Sequence, residues 1–191
     1  MSSAGDTTTY RRARAIVCDN LCSGNVGPAG PQGPAGSIGT TAIGSYYSIV
    51  TQNVNGPPPA APTIMAVENT VLERYVSVVS STQFTVAKTA IYEVYYSVQI
   101  SRSSGGSPEY VYIWLKKNGS DVPDTNGRIY LNSNNGDQLP IVPYIISLNA
   151  GDYVEFAIQA TDGSFRMLAV PDASAIGPTI PSIIIGIKEI G

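Results

Sequence analysis

The sequence contains no histidine. That absence removes the commonest general base and the commonest metal ligand together. No cofactor or metal site is expected, and the chain does not read as an enzyme. A glycosidase would still need a catalytic pair of carboxylates. The Ser103–Ser107 stretch, Ser-Ser-Gly-Gly-Ser, matches no nucleophile motif and reads as a hairpin tip. Cysteine is scarce: Cys18 and Cys22 are the only two, so no disulfide framework holds the bulk of the chain. Charged residues make up 13% of the sequence, about half the usual share. The net charge is −3 and the one basic cluster is Arg11, Arg12 and Arg14, which argues against nucleic acid as a partner. There is no run of 18 apolar residues, and Met1 to Tyr10 is polar. The expectation is neither membrane insertion nor export by the general secretory route.

Glycine (19), proline (14) and tyrosine (12) are plentiful, beside many Val, Ile, Ser, Thr and Asn. This is strand-and-loop chemistry. Residues 1–23 form a polar-to-mixed tail with one apolar patch, Ala15-Ile16-Val17 with Leu21. Next come Gly24, Gly27, Gly30, Gly33, Gly36 and Gly39 at strict three-residue spacing, with Pro28, Pro31 and Pro34 each following a glycine. That phase is the Gly-X-Y pattern of a collagen triple helix. Only Gly fits at the crowded axis of three polyproline-type chains, and Pro pre-sets the extended backbone. The segment 24–39 therefore reads as a short triple-helical stalk spanning roughly 45 Å. Its few triplets, with no proline at Y, should not trimerise alone, so another part of the chain must hold three copies together. Cys18 and Cys22, at the foot of the stalk, are either free thiols or an inter-chain cross-link. The Arg11, Arg12, Arg14 cluster is either a solvated tail or an anchor on an acidic capsid surface. Residues 40–44, bounded by Gly39 and Gly44, look like a hinge.

From residue 45 to 191 the pattern has period two, which marks half-buried strands. Tyr92, Val94, Tyr96, Val98 and Ile100 alternate with more polar neighbours, as do Val154, Phe156 and Ile158. Val111, Ile113 and Leu115 alternate with Tyr110, Tyr112 and Trp114, so this strand is apolar on both faces. Asn118-Gly119 supplies a tight turn, and Ile183 to Ile187 closes the chain as a central strand. Weaker strands are expected at 46–54, 76–79, 83–86, 129–131 and 144–148. Eight to ten short strands suit an all-β antiparallel sandwich of jelly-roll type. One face of the 110–115 strand fills the core. Tyr110, Tyr112 and Trp114 then need outside cover, most economically a trimer interface; a carbohydrate platform is the alternative. Asp121, Asp124, Asp137, Asp152 and Asp162 fall in turns, where Asp serves its own backbone; a calcium site built from them is the alternative.

Several stretches together resemble a known family. They are Phe84-Thr85-Val86, Ile91 to Val98, Leu115 to Pro123, Leu148 to Glu155 and Ser182 to Ile187, after the Gly-X-Y segment. In this order they look like the collagen-plus-globular-head proteins of the complement and tumour-necrosis-factor-like superfamily. The wording Trp-Leu-Lys-Lys-Asn-Gly-Ser-Asp-Val-Pro (114–123) is most similar to heads on structural proteins of large DNA viruses and phages. The resemblance implies a ten-stranded jelly roll packed as a homotrimer. The expected protein is a virion fibre, spike or minor capsid component. Its tail would dock on other capsid proteins and its head could meet a host-surface glycan or receptor. The alternative is a lectin-like binding module of a bacterial spore or cell surface, built from the same two parts.

Overall fold

A computed structural model describes residues 41–105, 107–131, 136–171 and 177–191. The expected tail and stalk lie outside the described residues, and with them Arg11, Arg12, Arg14, Cys18, Cys22 and the glycines from Gly24 to Gly39.

All regular elements among the described residues are strands. In chain order they are β1 (Ile43–Ser48), β2 (Gln52–Asn53), β3 (Thr63–Ile64), β4 (Asn69–Arg74), β5 (Val76–Val79), β6 (Gln83–Val86), β7 (Ala90–Val98) and β8 (Ile100–Arg102). There follow β9 (Glu109–Lys117), β10 (Ser120–Asp121), β11 (Gly127–Leu131), β12 (Asp137–Gln138), β13 (Ile141–Leu148), β14 (Tyr153–Ala160), β15 (Phe165–Met167) and β16 (Ile183–Glu189). Every pairing is antiparallel. The first sheet runs β13-β7-β16-β1-β4. The second runs β10-β9-β14-β6-β5, with β11 on β9 and β3 on β14. A small third sheet, β12-β8-β15-β2, prolongs the β7 line beyond Gln99. The fold is thus an all-β antiparallel sandwich.

Side-chain alternation decides which face turns inward. Tyr92, Val94, Tyr96 and Val98 of β7, Val111, Ile113 and Leu115 of β9, and Ile183, Ile185 and Ile187 of β16 are all buried. Aromatic rings lace the two large sheets together. Tyr46 of β1 meets Phe84 of β6 at 5.2 Å, and Phe84 meets Phe156 of β14 at 6.3 Å. Phe156 in turn stands edge-on to Tyr96 of β7 at 5.6 Å. Such tilted and edge-to-face pairs add to the plain burial of the rings. Burial also pushes the Tyr46 and Tyr96 hydroxyls well above the ordinary phenol range, so they remain neutral. The Tyr46 hydroxyl donates to the Val76 carbonyl at 3.3 Å.

The β9–β10 hairpin forms as the sequence predicts. Asn118 and Gly119 both take positive φ, 50° and 79°, and Lys117 pairs with Ser120. That backbone matches the twist of the flanking strands. Residues 40–44 require a correction. Ile43 and Gly44 already belong to β1, paired with Lys188 and Ile187 on one side and with Arg74 and Glu73 on the other. Ala42 is buried, and its N–H donates to Glu189 Oε2 at 2.6 Å. The described part of the expected hinge is therefore held by the sheet. The glycines at its edges suggested a break, but partners far along the chain satisfy its backbone.

Candidate functional site

Among the described residues, the outer face of the first sheet gathers exposed apolar side chains from several strands, Leu72, Ile91, Ile141, Ile145 and Ile184. Strand register arranges it in rows. The middle row is Pro143, Tyr95, Gly186, Ser45 and Leu72. On one side lie Ile145, Glu93, Lys188, Ile43 and Arg74; on the other lie Ile141, Ser97, Ile184, Tyr47 and Asn69. Ile145 is 72% exposed and Ile141 62%. Leu139, just before β13, and Ile91 of β7 are exposed as well. Scattered exposed leucines need no explanation, but a contiguous apolar sheet face does. Pro143 fits here because β13 is the edge strand of its sheet, where a missing N–H is tolerated.

Two details shape this face. Gly186 is buried beneath the Tyr95 ring of the neighbouring strand: a Cβ at Gly186 would lie well under 3.0 Å from that ring. Beside it is a notch of about 120 Å³ lined by Ser45, Glu93, Tyr95, Gly186 and Lys188, among others. Glu93 and Lys188 are opposite in register. Neither makes a side-chain hydrogen bond or ion pair among the described residues.

The second sheet carries the aromatic row singled out in the sequence. Tyr110, Tyr112 and Trp114 do share its outer face, and all three are half-buried in the single chain. Much of their cover is intramolecular. The Tyr130 ring lies 5.4 Å from Tyr110, and the Arg128 guanidinium stacks 4.7 Å above the Tyr110 ring. Trp114 Nε1 donates to Asp121 Oδ1 at 2.7 Å. Gln159, opposite Tyr112, ties down the adjoining loop through Nε2 to the carbonyls of Gly56 at 3.0 Å and Ala60 at 2.7 Å.

Three of the five turn aspartates are engaged by cations of the chain. Lys116 and Trp114 hold the Asp121 carboxyl below its usual range. Lys117, the Asn118 amide and the Asn149 N–H hold Asp152 down at about 2. At Asp162, burial works toward a higher value, but the Ser164 hydroxyl and N–H and the Arg102 guanidinium outweigh it and hold the carboxyl low. Arg102 is itself almost fully buried. Its Nη2 meets Asp162 Oδ2 at 2.7 Å, Nε donates to Ser164 Oγ at 3.1 Å, and Nη1 donates to the Ser107 carbonyl at 2.5 Å. No signal in the sequence points to this ion pair between a buried guanidinium and a partly exposed carboxylate, because Arg102 is separated from Asp162 by 60 positions. Among the described residues, no three acidic or cysteine side chains come together as a metal site would require.

With that geometry in view, the comparison with solved structures is informative about the fold. The chain is similar to the structure of Eiger TNF from S. frugiperda, with a TM-score of 0.51 and 13% sequence identity, over 79% of this chain and 93% of that one. At that identity the likeness speaks for architecture: the head has a TNF-like jelly-roll fold. No family model and no curated protein matches the sequence.

Proposed function

We propose that this chain is a homotrimeric structural protein of a virion, a fibre, spike or minor capsid component with a surface-displayed head. The single observation that carries the reading is the contiguous isoleucine-rich outer face of the first sheet, around Ile141, Ile145 and Ile184. A second and third copy would remove it from water. In this arrangement the head is the trimerisation engine. It raises the effective concentration of three stalk strands that are too short to wind alone. Residues 24–39 then form a triple-helical spacer and residues 1–23 dock on other capsid proteins, with Arg11, Arg12 and Arg14 as the anchor.

With the first sheet facing its copies, Tyr110, Tyr112 and Trp114 stay on the outside. Half-exposed rings beside Arg128 make a stacking surface of the kind that sugar rings use. Three such surfaces on one trimer would bind a host-surface glycan multivalently. The same aromatic row favours the second reading, a lectin-like module of a spore or cell surface. No catalytic step enters either reading.

The test is antibody labelling of purified particles with a serum raised against the protein, alongside a variant lacking residues 1–23. The virion reading expects labelled particles, and loss of incorporation on removal of the tail with the trimer intact. Label confined to spores or cell envelopes would replace it with the second reading.

A further inference from the structure

Glu93 and Lys188 are the charged side chains that β7 and β16 place in the central rows of a largely apolar face; Arg74, at the β4 end of the same row, donates from Nε to the Thr41 carbonyl at 2.9 Å. Glu93 and Lys188 stand side by side on β7 and β16, flanked in their row by Ile145 and Ile43. Among the described residues, both lack a hydrogen-bonding or ionic partner. An apolar surface could cover the isoleucines, but it would leave these two charges only each other and no water, and their desolvation would offset much of the apolar contact. A surface that presents groups of opposite charge at the same depth covers this face at the lowest cost. The face itself has that composition. A second copy of this chain is the occupant that meets both demands, apolar bulk and opposite charge.

We propose that Glu93 of one copy pairs with Lys188 of the next, so that the trimer closes through a ring of alternating charges. This deepens the trimer reading above and rests on it. The pair would act chiefly on register. A copy docked in the wrong orientation sets Glu93 against Glu93 or Lys188 against Lys188, and such like-charge contacts reject it. The notch beside Tyr95 leaves room for the incoming side chain next to the Ser45 hydroxyl and the Gly186 backbone. Water is excluded around the pair by Ile145 and Ile43, which makes correct geometry worth more than at an open surface.

The experiment is a charge swap on the full-length chain, read by light scattering across a dilution series. Circular dichroism serves as the check that each variant is folded; both positions face outward, so the fold should be retained. Glu93→Lys alone and Lys188→Glu alone should each weaken assembly by about 100-fold, and the double swap Glu93→Lys/Lys188→Glu should restore it to within about tenfold of the starting protein. The decisive step is mixing the two single variants. One carries only positive charge at these positions and the other only negative. If the pair forms between copies, mixed trimers appear, with two of their three contacts satisfied. If the pair forms inside each copy, mixing rescues nothing although the double swap assembles, and the proposal is overturned. Single variants that assemble like the starting protein overturn it as well. A starting protein that is monomeric would instead remove the trimer reading on which the pair depends.

Discussion

Substituting Gly186→Ala separates the packing inside one copy from the packing between copies. Gly186 sits in the central strand β16, directly opposite Tyr95, and the Tyr95 ring fills the space a Cβ would take. The atoms met are the far end of the ring, so the ring can swing away and the backbone need not move. Forcing Tyr95 off its rotamer and losing its cover costs about 1–1.5 kcal/mol. Replacing a mid-strand glycine by alanine returns about 0.5 kcal/mol. The net effect in the starting protein is a loss of about 1 kcal/mol, or roughly 2–4 °C in Tm for a chain of this size. In a Tyr95→Ala background the ring is gone, and the same substitution should stabilise by about 0.5 kcal/mol. Denaturant titrations at one protein concentration measure the four corners of this cycle. The reasoning predicts a coupling of about 1.5 kcal/mol. It also predicts weaker assembly of Gly186→Ala on dilution, because the displaced ring now protrudes into the apolar face. A coupling below about 0.3 kcal/mol would refute the account of Gly186.

Three further expectations follow from the geometry. Asp162→Ala leaves the buried Arg102 guanidinium without its counter-charge but with its Ser164 and Ser107 contacts, so unfolding free energy should fall by about 2–4 kcal/mol, measured by denaturant titration. Asp152 is held at about 2 in the folded chain against an ordinary value of 3.8; its contribution is full above about pH 4 and is lost as pH falls toward 2. Asp152→Asn should therefore lower stability at pH 7 and show little further loss between pH 4 and 2 at this site. If residues 24–39 wind as the proposed stalk, Gly30→Ala or Gly33→Ala would place a Cβ at its axis; protease should then cut that segment while the assembly of the rest of the chain survives, and unchanged resistance would count against a wound stalk.

The strands that could be read in the sequence are those whose two faces meet different surroundings. β7 alternates cleanly because one side fills the core, β14 shows the period in its residue types although Glu155 and Ala157 on its other face are buried as well, and Asn118-Gly119 marks its hairpin by backbone chemistry alone. β4, Asn69-Thr70-Val71-Leu72-Glu73-Arg74, escaped because it is an edge strand, exposed along nearly its whole length and bulged opposite Ser45 and Tyr46; no periodicity is imposed on it. β15 was missed because three residues are too few to show a period. The start of β1 was hidden because the partners of Ile43 and Gly44, Lys188 and Ile187, lie at the other end of the chain.

The candidate site shows the same limit. Alternation revealed that Tyr110, Tyr112 and Trp114 share a face, but not that Tyr130, Arg128 and Asp121 cover much of it. The wide uncovered face was harder to see. Its members come from β13, β7, β16 and β1, which are adjacent only through the jelly-roll crossovers. Within each strand they look like ordinary outward residues. Only the register shows that Ile145, Ile141 and Ile184 join into one surface around Glu93 and Lys188.

The most direct test of the central claim is the solution mass of the full-length chain, by light scattering over a dilution series. The account predicts a single species at three times the 20.1 kDa chain mass, with Ile145→Asp shifting it to the monomer while the fold is retained. A monomer at every concentration, or a trimer indifferent to Ile145→Asp, would contradict the claim that three copies close over the first sheet.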